Sequence, residues 1–396
     1  MTARKVRDGV WAGDSGDVKP SYPRANPGDQ FYERDTGNTY VYLRTWKLAT
    51  SSLAFSGLTG SPSDNHALQA AFDRRASHEN GFVERSESVI SFTEGTRTAS
   101  VQPTGTDFVV YSDHTPYVKT GDTVVISDTE GLHFVYYDSS GTLVESTIFV
   151  DEIITVWAFV MVVYWDSTNS EAVLVADERH GATMDSQTHI YNHNTLGTRY
   201  GNGLALTDID TGGGGTDAGA QLGVTDGSIW DEDIRHTIVG GSPQTLAVPA
   251  QIPLVYRSGA AGDWRKLAAT DFPIATTGTG RAAWNEDTGA TWQLTEVGNN
   301  DYVLVHLLAV GDIHHPVMGI VGQATYATTN AAEAAAPGEL QQLNLGSLDL
   351  LTPEAVFLGT LLIQTKDVFA NAVRSTFIPT AEGDDYIDWR RTVRAR

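Results

Sequence analysis

Residues 83–164 alternate short apolar and polar runs with polar turns, which is the pattern of β-strands with one buried face. The clearest runs are residues 89–92, 108–111, 122–126 and 132–137. Turn residues separate these runs at intervals of ~8–12 residues, a spacing typical of β-sandwiches. The pattern therefore predicts a β-sandwich or jelly-roll-like unit in this part of the chain.

Residues 153–165, with the sequence IITVWAFVMVVYW, form the most apolar run of the chain. A membrane-spanning helix needs ~20 apolar residues, so this run is too short for one. β-Branched and aromatic residues dominate it, which favours a strand that is buried on both faces. We therefore expect no insertion of this protein into a membrane.

A second β-rich stretch occupies residues 223–326, with strand-like runs at residues 251–257, 291–294, 302–310 and 318–323. Residues 328–345 begin as a helix that Pro337 and Gly338 are expected to kink or divide in two. Residues 353–364 predict a turn and a strand, and residues 371–378 predict a last strand. The fold class predicted is mainly β, with several domains built as antiparallel β-sandwich or jelly-roll-like modules and a few short helices.

The N-terminal fifty residues follow a different pattern. Residues 1–28 are polar and lack periodicity, so we expect an extended arm. Residues 30–34 and 39–43 alternate around a Gly-containing turn, which predicts a β-hairpin. Ser63 or Asp64 can cap a short helix in the linker that follows. The expected domains are an arm and attachment hairpin (1–50), a linker with a short helix (51–82), two β-modules (83–205 and 206–326) and a helix-strand module (327–396).

Composition narrows the possible functions. None of the 396 residues is cysteine, which excludes disulfides, zinc–thiolate sites and thiol nucleophiles and favours assembly in a bacterial cytosol. The formal net charge of −23 repels nucleic acid and anionic membranes, so we expect neither as a partner. Basic residues nevertheless gather at both ends, at Arg4, Lys5, Arg7, Arg390, Arg391, Arg394 and Arg396. These ends either dock to acidic partners or are simply solvated.

The densest group of candidate ligands lies just after the first β-region. It contains Asp177, Glu178, His180, Asp185, His189 and His193. His189 and His193 would share one face of a helix and could bind one metal ion, whereas a strand would place them ~13 Å apart. Residues 188–193 read as extended or irregular. The pattern therefore favours a buried hydrogen-bond network of Asp177, Arg179 and the histidines, and we expect no metal or other cofactor.

Other groups of polar residues give weaker indications of a metal site or a catalytic site. The acidic residues Asp231, Glu232 and Asp233 predict a solvated turn or a loose calcium site, since adjacent carboxylates rarely face each other across a sugar. Asp208, Asp210 and Asp217 approach calcium-loop spacing, but the terminal Glu of such a loop is absent. The chain has no Gly-x-Ser-x-Gly elbow and no His-Glu-x-x-His motif. We therefore expect no enzyme and no catalytic residues.

Two blocks of sequence resemble a known class of proteins. In the first, Asp-Glu-Arg-His-Gly at 177–181 is followed by Met-Asp at 184–185 and Thr-His-Ile-Tyr-Asn-His-Asn-Thr at 188–195. In the second, Gly-Gln-x-x-Tyr-x-Thr at 322–328 precedes a Leu-rich strand at 357–363 and Asp-Tyr-x-Asp-Trp-Arg at 385–390. Both resemble virion proteins of tailed bacteriophages, of the tail-fibre and adsorption-appendage type. The resemblance covers roughly residues 86–390.

The resemblance implies a non-enzymatic structural component of a virion, assembled in the cytoplasm of a bacterial host. The expected role is a fibre or a tail or head appendage that takes part in assembly and host attachment. The expected partners are further copies of this chain, in a homotrimer, and other virion proteins, bound through the N-terminal arm. The alternatives are a capsid decoration or cement protein, and a module that binds host glycan or depolymerises it.

Overall fold

The computed structural model of the protein describes residues 3–21, 23–50 and 79–391. The chain forms two compact units, Met1–Arg74 and Arg75–Arg396. The described residues are mainly β, with several antiparallel sheets and three helices, which confirms the predicted fold class. None of the helices in these residues is long and apolar enough to span a membrane. The helix predicted after Ser63 or Asp64 lies outside the described residues.

The N-terminal unit contains a five-stranded sheet in chain order. Its strands are β1 (Arg4–Arg7), β2 (Val10–Gly13), β3 (Gln30–Glu33), β4 (Thr39–Tyr42) and β5 (Trp46–Thr50). Strands β3 and β4 pair antiparallel, which confirms the predicted hairpin. Phe31 is fully buried and packs edge-on against Trp46, with ring centroids 5.7 Å apart. Glu33 is also buried, and its carboxylate pairs with Lys19 at 2.6 Å.

The prediction of an extended arm over residues 1–28 is wrong, because this segment contributes two strands. Strand β1 pairs antiparallel with β2, and β2 pairs in parallel with β3. The partner of β2 lies about twenty residues further along the chain, and every residue of β1 is exposed. Neither strand therefore shows the alternation that reveals a half-buried strand in sequence.

The first part of the large unit consists of short antiparallel strands. These are β6 (Gly81–Phe82), β7 (Ser88–Thr93), β8 (Thr98–Pro103), β9 (Phe108–Ser112), β10 (Thr115–Lys119), β11 (Asp122–Val125), β12 (Gly131–Tyr137), β13 (Leu143–Ser146), β14 (Ala158–Asp166) and β15 (Glu171–Asp177). They form sheets in the orders β10-β9-β6, β11-β8-β7 and β13-β12-β14-β15. The four strands predicted between residues 89 and 137 are confirmed.

The most apolar run is only partly a strand. Helix α1 (Glu152–Thr155) begins it, and β14 follows with all nine residues buried. Ile153 and Ile154 are therefore buried residues of a short helix and do not belong to the strand. The prediction of a fully buried strand over residues 153–165 is correct for residues 158–165 and wrong for residues 153–157, since an apolar run alone does not distinguish a strand from a buried helix.

The second part of the large unit is built around a seven-stranded sheet. Its elements are α2 (Ser186–Thr195), β16 (Arg199–Gly203), β17 (Leu206–Thr207), β18 (Gly223–Val224), β19 (Gly227–Asp231), β20 (Ile234–Ile238), β21 (Leu254–Ser258), β22 (Asp263–Leu267), β23 (Ala283–Asp287), β24 (Trp292–Glu296), β25 (Tyr302–Val310), β26 (Val317–Tyr326), α3 (Thr329–Gln342), β27 (Ala355–Thr365), β28 (Ser375–Phe377) and β29 (Ile387–Asp388). The large sheet has the order β22-β21-β26-β25-β27-β28, and β29 also pairs with β27.

Two predictions for this region need correction. Helix α3 runs without interruption through Pro337, so the division into two short helices is wrong, and the alternative of a kink at Pro337 stays a prediction. The strand predicted at residues 371–378 is only β28, and β29 follows it. Asn371 lies before β28, where its side chain bonds the backbone of Thr216 and Ser375 and so belongs to a turn.

One apolar cluster joins the three modules that were predicted within the large unit. It contains Phe134 and Tyr164 from the first, Trp264 from the second and Leu340 from the third. Residues Arg75–Arg396 form one compact unit, and the boundaries predicted inside it stay predictions.

A buried carboxylate on α3 makes the stability of the large unit depend on pH. Glu339 accepts hydrogen bonds from the backbone of Gln323 at 2.7 Å and from the hydroxyl of Tyr326, and its carboxylate lies 3.5 Å from His306 Nε2. Burial raises the pKa of Glu339, but His306, Tyr326 and the backbone bond outweigh burial and hold that pKa below its ordinary value of 4.5. A carboxyl group whose pKa is lower in the folded state stabilises the fold above its unfolded pKa.

We therefore expect the contribution of Glu339 to be complete above about pH 4.5 and to be lost as the pH falls through the lower pKa of the folded state. Urea unfolding across the acid range measures this for the wild type and for Glu339→Gln, which cannot ionise. The exposed Glu382 provides the matched control, Glu382→Gln. An unchanged pH dependence in Glu339→Gln would refute the assignment.

Candidate functional site

Four separate segments of the large unit bring acidic and histidine side chains together. Residues 178–180 follow β15, helix α2 contributes two histidines, the turn between β19 and β20 contributes acidic residues, and one carboxylate precedes β27. We call the resulting set the buried cluster; its members are Glu178, His180, His189, His193, Asp231, Glu232 and Glu354. Asp233 borders it. The ligand atoms of the buried cluster form three overlapping groups, and the atoms within each group lie within 4.8 Å of one another.

Helix α2 corrects the prediction that residues 188–193 are extended or irregular. Asp185 caps its N-terminus, because the carboxylate accepts a hydrogen bond from the Thr188 backbone at 3.1 Å. Residues four apart on a helix are neighbours on one face. His189 and His193 are therefore close enough to share a site, which the extended interpretation had excluded.

His180 is held in one orientation by Asp233. The two are joined at 2.7 Å through His180 Nδ1, and the other oxygen of Asp233 accepts a bond from the Gly181 backbone at 2.8 Å. The second ring nitrogen, Nε2, lies 3.7 Å from Glu178 Oε2 and 3.7 Å from Glu232 Oε2. These two separations are too long for hydrogen bonds. They suit ligands of a common ion, since two atoms each ~2.1 Å from a metal lie ~3.4 Å apart at a tetrahedral angle.

Two buried carboxylates have no hydrogen-bond partner within the described residues. The Glu232 side chain has an exposed fraction of 0%, and neither of its oxygens is hydrogen-bonded. Both oxygens of Glu354 are also without a hydrogen bond, although His193 Nδ1 lies 2.9 Å from its Oε1. His193 Nδ1 is 3.9 Å from Glu232 Oε1. Burying carboxylates in this way is unfavourable unless a cation or protons compensate them.

Burial and mutual repulsion change the proton affinity of the buried cluster. Burial raises the pKa of both Asp231 and Glu232, and Glu354 raises both further. Burial lowers the pKa of His180, but Asp233 and Glu178 outweigh burial and raise it well above the ordinary value. Such a cluster retains protons when it is empty and can release them when a divalent cation binds.

Asp177 and Arg179 form a separate network beside the buried cluster. Arg179 Nε and Nη2 donate to the two oxygens of Asp177 at 2.8 and 2.7 Å, and Arg85 donates to the same carboxylate at 2.5 Å. Burial raises the pKa of Asp177, but both arginines outweigh it and lower that pKa to about 2. The predicted network is therefore present for Asp177 and Arg179, whereas the histidines belong to the buried cluster.

The sequence interpretation missed the acidic half of the buried cluster. The predicted alternatives for Asp231 and Glu232 are a solvated turn and a loose calcium site; their side chains are 5% and 0% exposed, so the solvated turn is wrong. Glu354 was not singled out, because one carboxylate before an apolar strand carries no recognisable spacing. Asp208, Asp210 and Asp217 do not join the cluster.

Comparison with protein-family models gives no match to this chain, and no curated protein matches it.

Proposed function

We propose that this protein is a non-enzymatic structural subunit of a tailed-phage virion, in a fibre or in a tail or head appendage used for assembly and host attachment. The sequence resemblance over roughly residues 86–390 and the mainly β fold support this proposal.

The observation that carries the attachment role is the exposed basic strand at the edge of the N-terminal sheet. Strand β1 contains Arg4, Lys5 and Arg7, all of them exposed, and among the described residues it pairs only with β2. An edge strand offers unpaired backbone groups to another chain. Lys5 pairs with Asp8 at 2.9 Å, and such an exposed pair contributes little. The edge therefore fits an acidic partner strand.

Charge is distributed unevenly between the two units. Residues 1–74 contain nine Lys or Arg and eight Asp or Glu, so their charges nearly cancel. The remaining 17 Lys or Arg and 41 Asp or Glu give residues 75–396 a net charge of −24, so they carry the acidity of the chain. In a virion built from acidic subunits, long-range attraction would bring the basic edge to its neighbours. Closed symmetry, which we propose to be a trimer, would also cover exposed strand edges.

Reversing the charge of the edge strand tests the proposal. We expect the triple variant Arg4→Glu, Lys5→Glu, Arg7→Glu to keep the wild-type mass by light scattering, near three times 42.7 kDa, and to be lost from phage particles. Particle content is measured by mass spectrometry of purified virions.

The matched control reverses Arg24, Arg34 and Arg44, three exposed arginines of the same unit, and should remain in the particles. Equal incorporation of both triple variants would contradict attachment through β1. A monomeric wild type would contradict the fibre and favour a decoration protein that assembles only on its virion.

A further inference from the structure

Two groups of ligands in the buried cluster meet at one residue. His180, His189 and Glu232 form one group, and His193, Glu232 and Glu354 form another. Glu232 Oε2 faces His180 Nε2 at 3.7 Å, and Glu232 Oε1 faces His193 Nδ1 at 3.9 Å. Each oxygen of one carboxylate thus faces a different histidine, which is the arrangement of a carboxylate that bridges two metal ions.

We propose that the buried cluster binds two divalent transition-metal ions, with Glu232 as the bridge between them. The first ion lies between His180, His189 and Glu232, and the second between His193, Glu232 and Glu354. Nothing in this assignment depends on the virion role, because it uses only the contacts within the large unit.

Burial of the unpaired ligand is the observation that separates this site from an ordinary acidic cluster. The Glu232 side chain is completely buried, and both of its oxygens point into the cluster without a hydrogen bond. A carboxylate left in this state destabilises a fold strongly, whereas coordination to a cation satisfies both oxygens.

The orientation of His180 also fits a ligand. Histidines that bind metals almost always hold their other ring nitrogen against a carboxylate or carbonyl. Asp233 occupies that position on Nδ1, at 2.7 Å, and Gly181 fixes Asp233 in turn. Nε2 is left facing the carboxylates, which is the atom that the first ion would take.

Charge balance favours two ions over one. The cluster holds four carboxylates, and their ion pairs in the described residues are with histidines, without Lys or Arg; they are Glu178, Asp231, Glu232 and Glu354. Two divalent ions neutralise four carboxylates, whereas one would leave two buried negative charges. Three imidazoles with carboxylates favour ions such as Mn²⁺, Fe²⁺, Co²⁺ or Zn²⁺ over Ca²⁺ and Mg²⁺.

The bound ions would join segments that are distant in sequence. Residues 178 and 354 are far apart in the sequence, and α2 and the β19–β20 turn lie between them along the chain. A link that closes such long loops restricts the unfolded chain. We therefore assign the ions a structural role, as cross-links within the large unit.

Metal titration of the full chain tests the proposal. The protein is stripped with a chelator and titrated with Co²⁺ or Zn²⁺, and native mass spectrometry and the cobalt absorption spectrum count the bound ions. We expect two ions per chain and a thermal midpoint that rises with metal concentration. Fewer than one ion, with no change in the midpoint, would overturn the site; saturation at one ion would overturn the two-ion assignment.

Glu232→Gln tests the bridge, because the amide keeps the shape and removes the charge. We expect this variant to bind no more than one ion. Without metal it should melt no lower than the stripped wild type, since the amide stays neutral without taking up a proton; with metal it should melt below the loaded wild type. Two ions bound by Glu232→Gln would overturn the bridge.

Two further variants keep the test decisive if Glu232→Gln does not fold. Asp233→Asn should still bind metal, but ~10–100-fold more weakly, because Asp233 only orients His180. Glu171→Gln is the matched control outside the cluster, where Glu171 pairs with Lys266 at 3.7 Å, and it should bind two ions with wild-type affinity. Unchanged affinity in Asp233→Asn would contradict His180 as a ligand.

Discussion

Replacing Arg179 with Met is expected to lower the free energy of unfolding of the large unit by about 3–5 kcal/mol. The guanidinium is buried and forms a two-pronged contact with Asp177, at 2.8 and 2.7 Å. Its remaining nitrogen donates to the Ser88 carbonyl at 2.6 Å and to the Ser88 hydroxyl at 2.7 Å. Met has a similar volume but cannot donate hydrogen bonds to the Asp177 carboxylate or the Ser88 carbonyl. Breaking a buried ion pair in this way is strongly destabilising.

Urea unfolding followed by circular dichroism measures the effect. Arg97→Met is the matched control, because Arg97 is one-third exposed and lies 3.5 Å from the exposed Asp128. Loss of such a surface pair should change stability by only ~0–1 kcal/mol. Arg179→Lys should lie between the two, since Lys keeps the charge but not the planar fork. Equal effects of Arg179→Met and Arg97→Met would show that the buried network does not hold this loop.

Replacing Trp264 with Ala is expected to cost about 3–5 kcal/mol and to weaken the whole large unit at once. The indole is fully buried, and its Nε1 donates to the Leu345 carbonyl at 2.7 Å. The Trp264 backbone N–H donates to the Tyr164 hydroxyl at 3.0 Å. One residue thus contacts segments that the sequence places in three different modules.

Denaturant unfolding with fluorescence and circular dichroism should show one cooperative transition for the large unit, shifted to lower denaturant in Trp264→Ala. Trp264→Phe is the control, since it keeps most of the ring and loses the bond to Leu345, which should cost about 1–3 kcal/mol. Two separated transitions, with only one of them shifted by Trp264→Ala, would show that the predicted modules fold independently.

The Asp177–Arg179 network and the buried cluster differ in how their carboxylates are compensated. Asp177 is compensated within the chain by Arg85 and Arg179, and its pKa falls. Glu232 has no cationic Lys or Arg among its described ion pairs, and its pKa rises. Arginine compensation produces a fixed structural contact, whereas uncompensated carboxylates beside histidines produce a place for an external cation.

The sequence predicts an element correctly where that element has its own hydrophobic pattern. Strand β7 alternates buried and exposed residues along its whole length, and β14 is buried at every position, so local hydrophobicity predicts both. The β3–β4 hairpin follows from a turn between two alternating runs. The mainly β class is correct for the same reason, because strand periodicity is a property of neighbouring residues.

Helix α2 shows where local pattern becomes too weak. Its buried residues are only Ser186 and His189, so it has no apolar stripe. The available signal was the cap: Asp185 followed three residues later by Thr188, a pair that satisfies the free backbone N–H groups of a helix start. Recognising that cap would have placed His189 and His193 on one face.

Local sequence patterns predict the β-rich class, the hairpin, several of the longer strands and the histidines of the buried cluster. The packing of distant segments brings Asp231, Glu232 and Glu354 to those histidines and places β1 and β2 in a sheet. The physical reason is the same in both cases. The burial of one strand shows in the hydrophobic pattern of adjacent residues. Contacts between distant segments depend on how sheets and helices pack, and the spacing of residues in the sequence does not predict that packing.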